Sequence, residues 1–281
     1  MMFKTNAGPI ESDESITYLR PETAQGMFVN FKNILDSIHP SLPFGMAQIG
    51  KAFRNEIAPR DFIFRSREFE QMEIEYFVKP TEWKQTFESF VSEIHEFTND
   101  IGLNKNHVHE LEIPDGDRAH YSKRTIDFEF DFPFGKKELY GLAYRTDFDL
   151  KAHSESSKVD LSYYDEESKE RYIPHCIEPS FGVERTVLAV LSDAYTEDEI
   201  DGEKRVYMKF SPKIAPVKVA VFPIHNTVGL EVAVTVGVGF TVKETVVVFA
   251  HIPFEPVKVY IVVAVGVTTV VVPVKAPGFH V

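Results

Sequence analysis

Four stretches of the chain concentrate side chains able to hold and move charge. The first is Phe53-Arg54-Asn55-Glu56, followed by a loop and then Phe64-Arg65-Ser66-Arg67-Glu68-Phe69-Glu70-Gln71-Met72-Glu73. A strand, a basic loop and a returning strand would set Arg54, Arg65 and Arg67 around one anion. Arginine suits phosphate because its planar fork bonds two oxygens at once. The second stretch, Arg20-Pro21-Glu22-Thr23-Ala24-Gln25-Gly26, stands at a helix start. The third is Glu138-Leu139-Tyr140-Gly141-Leu142-Ala143-Tyr144-Arg145. The fourth, Glu178-Pro179-Ser180-Phe181-Gly182-Val183-Glu184-Arg185, reads as a strand end turning into a helix. Each has a plain structural reading when taken singly: a solvated strand face, a good helix cap, or a glycine that lets the chain turn.

Regular elements must position these residues. Met27, Phe28, Phe31, Ile34, Leu35 and Ile38 form one face of a helix predicted from Pro21 to Ile38, with Pro21 in its first turn. A second helix is predicted from Thr81 to Asn99, with Trp83, Phe87, Phe90, Val91, Ile94 and Phe97 in a stripe. Thr81 is its expected N-cap, and Gly102 lies just past its end. A third is predicted from Val183 to Tyr195, with Val187, Leu188, Val190, Leu191 and Ala194 inward. Ile126, Phe128, Phe130 and Phe132 alternate with acids, the pattern of a half-buried antiparallel strand. Phe69 to Val78 alternates as well, but Glu70, Gln71, Glu73 and Glu75 bring too many carboxylates for an ordinary solvent face. Helices separated by antiparallel strands indicate an α+β domain.

Composition narrows the function classes. The 281 residues carry a formal net charge of −13, which excludes a general nucleic-acid coat, since phosphate binding needs a basic face. From Ser211 onward there are five lysines against three acids, so the acidity belongs to the first 210 residues. After Pro216 roughly a third of the residues are valine, and the stretches Val232–Val238 and Tyr260–Val265 read as strand. Its longest apolar run, Val259 to Val267, falls short of the roughly 20 residues that span a bilayer, so no membrane partner is expected. The single cysteine, Cys176, excludes a disulfide framework and a cysteine-based zinc site, and fits a reducing cytosol. The first residues, Met1 to Asn6, lack the apolar core of a secretory signal. His107 and His109 could chelate as a pair, but the histidines otherwise lack metal-ligand spacing, and a surface loop is the expected setting. Ser180 has no base nearby in sequence for a hydrolytic triad.

Taken together, the four stretches closely resemble the glycyl-tRNA synthetases of the bacterial dimeric type, class II enzymes whose catalytic domain is an antiparallel sheet flanked by helices. Phe53 to Glu56 resembles that family's motif 2, Gly182 to Arg185 its motif 3, and Arg20 to Gly26 its glycine-pocket phrase. The resemblance covers residues 2–224. Phe181 stands where bacterial members commonly carry alanine, and Glu184 replaces a more usual aspartate with its charge kept.

The resemblance implies ATP-dependent activation of glycine to glycyl-adenylate, then transfer of the glycyl group to tRNA(Gly), in the cytoplasm and as a homodimer. No protein nucleophile is needed, so the work is positioning and charge neutralisation. On this reading Arg54, Glu56 and Arg185 are the catalytic set. Arg54 would hold the α-phosphate and the attacking carboxylate, Arg185 the γ-phosphate, and Glu56 the base or the tRNA end. Phe69 would stack on adenine. Asn55, Phe64, Arg65, Arg67, Glu68, Leu139, Gly182, Val183 and Glu184 would complete the ATP site, and Glu138 and Glu178 would be Mg²⁺ ligands. Glycine offers no side chain to grip, so its ammonium would meet Glu22, Glu70 and Glu73 with Ser180 alongside, and its carboxylate would meet Arg145. Phe69, Gln71, Met72, Glu178 and Gly182 would line the same pocket, which rejects larger amino acids for lack of space.

Residues 1–210 are thus expected to form the catalytic core, beginning inside the domain after motif 1 and after an arginine that helps hold glycine in the family. Residues 211–281 are expected to be a remnant or degenerate anticodon-binding domain. Ala215 to Pro223 resembles that domain's first strand, and the alternation of helices and strands expected after it is missing. Two rival readings share the residues: an amino-acid-adenylating paralogue that never charges tRNA, and a non-catalytic synthetase-like binding module. The second has no use for the ATP set.

Overall fold

The computed structural model describes residues 2–226, 229–236, 258–263 and 268–273. The chain divides into two compact units, Met1–Lys209 and Phe210–Val281. The first contains, in order, β1 (Lys4–Asn6), β2 (Ile16–Tyr18), α1 (Ala24–Ile38), β3 (Phe44–Phe53), β4 (Glu68–Val78), α2 (Trp83–Asp100), β5 (Val108–Glu112), β6 (Arg124–Phe132), β7 (Gly135–Thr146), α3 (Phe148–Ser157), β8 (Tyr163–Asp165), β9 (Glu170–Tyr172), β10 (His175–Gly182), α4 (Val183–Ala194), β11 (Tyr195–Ile200) and β12 (Glu203–Met208).

Six of these strands make one antiparallel sheet in the order β3-β4-β10-β7-β6-β5. It carries helices on both faces, the α+β architecture expected of residues 1–210. On one face α2 and α4 pack on Ile126, Phe128, Tyr140, Leu142, Tyr144 and Ile177, and Trp83 stacks on the Tyr144 ring at 4.0 Å. On the other face α1 and α3 cover only one end, where Phe28, Phe31, Phe77 and Leu150 are buried together. Each such side chain contributes about 1.5–3 kcal/mol by leaving water. The rest of this second face stays open.

Element boundaries depart from the sequence reading where long-range contacts intervene. Helix α1 begins at Ala24, not Pro21. The Arg20 carbonyl accepts from the Phe53 amide and its Nε donates to the Lys51 carbonyl, so Arg20 is docked on β3 before the helix begins. Helix α2 begins at Trp83, with Glu82 at the N-cap in place of Thr81. Gly102 follows it with φ of 85°, a conformation that costs glycine little. Ile38 lies in the last turn of α1 and is exposed. In α4, Val187 and Leu191 are exposed while Ala189 is buried, so the inward face is rotated from the expected one. Along β4 the acid-rich register is the hidden one: Gln71, Glu73 and Glu75 are buried with Phe77, while Glu70 is exposed.

The second unit has hairpins β13 (Val219–Asn226) with β14 (Gly229–Val236), and β15 (Lys258–Val263) with β16 (Thr268–Pro273). These agree with the strand reading of the valine-rich tail. Gly237, Val238, Ala264 and Val265, also read as strand, lie outside the described residues.

Candidate active site

The open part of the second sheet face is built from strand register. Ser180 of β10 pairs with Glu73 of β4 and with Gly141 of β7, and Gly141 pairs with Asp127 of β6. Because side chains alternate, these residues share one face with Gln71, Ala143 and Glu178. Two adjoining cavities lie over them. A cleft is lined by Arg54, Glu56, Phe64, Arg65, Phe69, Glu138, Leu139, Gly182, Glu184 and Arg185, with Ile63 and Ser66. An acidic compartment is lined by Glu22, Glu73, Asp127, Glu178, Gly141 and Tyr121, among others. Arg54, Gln71, Glu138 and Ser180 border both.

In the cleft, Arg54 donates from Nε to the Pro21 carbonyl at 3.1 Å, and its guanidinium lies 5.2 Å from the Phe69 ring centre. No acid pairs with it among the ion pairs of the described residues, so its charge is available to an anion. Arg185, in the first turn of α4, donates to the Glu138 carbonyl at 3.0 Å and pairs with the Glu138 carboxylate at 3.2 Å. Its guanidinium also sits 4.4 Å from the Phe64 ring centre. Arg65 reaches Glu56 at 3.4 Å. Glu184 is spent on the scaffold, its two oxygens accepting the Glu70 amide at 3.0 and 2.9 Å. That contact ties the start of α4 to β4.

The compartment floor is a hydrogen-bonded carboxylate layer. Glu73 accepts from the Thr23 amide at 2.8 Å and from the Thr23 hydroxyl, and its other oxygen accepts from Gln71 at 2.9 Å and Ser180 at 3.0 Å. Thr23 is the N-cap of α1 but caps it with no side-chain bond, because its hydroxyl is given to Glu73. The Gln71 Oε1 is buried without a hydrogen-bond partner. Glu22 is held by Gln25 at 2.7 Å. Burial foremost, with Glu73 and Glu22 nearby, pushes the Glu178 carboxyl up to about 7 against the pull of Arg145. Asp127 is raised to about 6 by burial and then by Glu138 and Glu129.

Several expected residues stand elsewhere. Arg145 does not face the compartment: it is buried beneath it, with Nε and Nη2 on Asp149 and Nη1 on Glu178. Glu70 lies on the register opposite to Glu73, beside Lys51. Asn55, Arg67, Glu68, Met72 and Val183 line neither cavity, and the Arg67 Nε donates to the Glu56 carbonyl at 3.0 Å. Glu138 and Glu178 are engaged by different arginines, and no group of three or more metal-ligating side chains occurs among the described residues. His107 and His109 bind separate acids, Asp193 at 2.6 Å and Asp131 at 2.8 Å, at the start of β5. Asp127, Gly141 and Arg118 were missed by sequence reasoning. The alternation of Asp127 with phenylalanines marked its face as polar, and only the sheet order reveals that this polar face is the site. Tyr121, to which the sequence reading gave no role, stacks 3.9 Å from the Arg145 guanidinium.

Residues 3–194 match the family described as the tRNA synthetase class II core domain (G, H, P, S and T). The chain is 52% identical over 228 residues to the glycine–tRNA ligase of Ureaplasma parvum serovar 3, covering 80% of this chain and 48% of that protein. It is 50% identical over 240 residues to that of Thermus thermophilus, covering 80% and 47%. Against that of Geobacillus thermodenitrificans the identity is 50% over 230 residues, covering 82% and 49%. The chain thus spans about half the length of the curated relatives it matches. A solved structure of prolyl-tRNA synthetase from Giardia lamblia, in complex with prolyl-adenylate, superposes with a TM-score of 0.56 at 19% identity, covering 68% of this chain and 37% of that one. That likeness concerns the fold. Sheet order, open face and matched sequence agree: the chain belongs to the class II tRNA synthetase core-domain family.

Proposed function

We propose that this chain carries the catalytic core of a glycine–tRNA ligase, activating glycine with ATP and passing the glycyl group to tRNA(Gly). One observation carries the reading: an arginine-lined cleft and a carboxylate-lined compartment adjoin, with Arg54 at their shared border. A nucleotide phosphate in the first would then meet an ammonium-bearing substrate held in the second. Residues 1–210 are the catalytic core in this proposal, and 211–281 the remnant of an anticodon-binding domain. Cytoplasmic location and a homodimer follow from the resemblance alone; among the described residues no helix is long and apolar enough to cross a membrane.

In this mechanism adenine stacks on Phe69, and Arg185 and Arg65 hold the outer phosphates. The glycine ammonium donates to Glu22, Glu178 and the free Gln71 Oε1. One carboxylate oxygen forms a bond to the α-phosphorus as the bond to the bridging oxygen breaks, and pyrophosphate leaves with that electron pair. Arg54 neutralises charge at the phosphorus, where preorganised donors contribute most. The donors suit Mg²⁺ only as a partner of the nucleotide: Glu138 is half exposed in the cleft, whereas Glu178 is buried against Arg145. One or two carboxylates plus substrate phosphates is the usual Mg²⁺ set, and the ion would supply charge neutralisation there. tRNA would approach the loop bearing Arg60, Arg65 and Arg67.

Glycine-dependent exchange of pyrophosphate into ATP by the full chain tests the proposal. Exchange together with charging of tRNA(Gly) is expected. Exchange without charging would reduce the function to amino-acid adenylation, and a folded chain with no exchange would overturn it.

A further inference from the structure

Arg118 lies in the segment joining β5 to β6, and its side chain lines the acidic compartment with Glu22, Glu73, Glu178 and Ser180. The side chain is only 15% exposed, and its Nε is buried with no hydrogen-bond partner. Its one ion pair is from Nη2 to Asp115, a carboxylate 95% exposed to water. A guanidinium has donors only, and apart from the contact with Asp115 this one makes no side-chain hydrogen bond among the described residues, so it can take a further acceptor in the compartment it lines.

Resting on the glycine reading above, we infer that Arg118 binds the substrate's carboxylate. In an α-amino acid the ammonium and the carboxylate are separated by a single carbon. A ligand whose ammonium sits among Glu22, Glu178 and Gln71 must therefore keep its carboxylate inside the same compartment. Two arginines line that compartment, Arg54 and Arg118. Arg145, the arginine that the sequence resemblance assigns to this task, has its guanidinium committed to Asp149 and Glu178. Arg54 also borders the cleft, where the proposed mechanism places it at the phosphate. The division of labour follows: Arg54 steadies the oxygen that attacks phosphorus, and Arg118 holds the oxygen that does not. Arg118 thereby selects for a carboxylate and orients the attacking lone pair.

Calorimetric binding of glycine and of glycinamide, which keeps the ammonium but lacks the carboxylate, tests this on the full chain. Arg118→Gln should weaken glycine binding about tenfold or more, the loss of one charge-assisted contact, and leave glycinamide binding unchanged. Arg118→Lys should recover part of the glycine affinity, because it restores charge without the fork. Asp115→Asn, which removes only the exposed partner, should bind glycine at least as well as the unaltered chain. Equal losses for glycine and glycinamide in Arg118→Gln would reduce Arg118 to a structural support and overturn the assignment, as would unchanged glycine affinity. Failure of the unaltered chain to bind glycine would overturn the glycine reading itself, and this assignment with it.

Discussion

Arg145 and Asp149 face each other across the junction of β7 and α3, joined by two parallel hydrogen bonds of 2.8 and 2.9 Å. The remaining arm of Arg145 donates to Glu178 at 2.8 Å, and its flat faces meet the rings of Tyr121 and Phe28. One buried cation thus links a strand, the first turn of a helix, and the floor of the acidic compartment. Burial would favour loss of its proton, but Glu178, Asp149 and Glu75 hold it charged. The compartment can keep two or more carboxylates under its floor because this cation lies among them.

Removing it should therefore damage the fold before it damages binding. Arg145→Ala leaves Glu178 and Asp149 buried and unpaired, a loss of about 3–5 kcal/mol. Arg145→Lys restores the charge but not the bidentate fork, so the loss should be smaller but measurable. Urea unfolding midpoints check both. A midpoint unchanged in Arg145→Ala would mean that the arginine serves a ligand and not the scaffold.

Glu178 makes a pH prediction of definite sign. Its carboxyl is raised from 4.5 to about 7 in the folded chain, burial being the chief cause. Between those values the folded state holds a proton that the unfolded state has released, so this group's contribution to stability falls as pH rises through the window. Binding of an ammonium runs the other way, since it needs the ionised carboxylate. Glycine affinity should strengthen from about pH 6 to about pH 8, and Glu178→Gln should flatten that dependence. Calorimetry across the range measures it. A flat profile in the unaltered chain would remove Glu178 from the ammonium site.

Arg54 and Arg185 should separate in how much scaffold they carry. Arg54 is exposed and makes one side-chain hydrogen bond, so Arg54→Ala should change stability by less than roughly 0.5 kcal/mol while abolishing pyrophosphate exchange. Arg185 ties α4 to the Phe64 and Glu138 carbonyls, at 3.4 and 3.0 Å, and covers the Phe64 ring. Arg185→Ala should cost about 1–2 kcal/mol and raise the KM for ATP. Exchange that survives in Arg54→Ala would end its assignment to the phosphate.

The helices and the strands of residues 1–210 were legible because their apolar periodicity is strong and local. Ile126, Phe128, Phe130 and Phe132 are all buried, as their alternate spacing implies. Helix starts were less legible, since Arg20 is captured by β3, more than thirty residues away. The surplus of carboxylates on β4 was visible, and alternation alone sets Glu70 and Glu73 on opposite faces; which of the two faces carries the site shows only once the register with Ser180 is known. Arg145 illustrates the limit. Its place in a charged phrase marked it for a ligand, and nothing local announced that Asp149, four residues on, would consume it. Arg118 is the converse, an ordinary surface arginine in sequence that sheet order delivers to the compartment.

Gly141 makes the sharpest test of size exclusion. It pairs with Ser180 across the compartment floor, and a Cβ built on it would meet nothing within 4 Å. Its φ lies outside the left-handed region, so alanine fits the backbone without strain. Gly141→Ala should keep or raise stability, by up to about 1 kcal/mol, because the unfolded chain loses freedom. The same methyl projects into the space a glycine ligand would occupy, so affinity for glycine should fall. Gly50 is the contrasting control. There a Cβ would come within 2.5 Å of an Arg20 guanidinium nitrogen, the far end of an exposed side chain that can swing aside while its backbone carbonyl keeps the Phe53 amide, so Gly50→Ala should cost little stability. Unfolding midpoints and glycine titrations on the two variants should therefore separate: a stable Gly141→Ala that binds glycine weakly, and a Gly50→Ala whose midpoint and glycine affinity both stay close to those of the unaltered chain. Unchanged glycine affinity in Gly141→Ala would show that the substrate does not rest on this part of the floor.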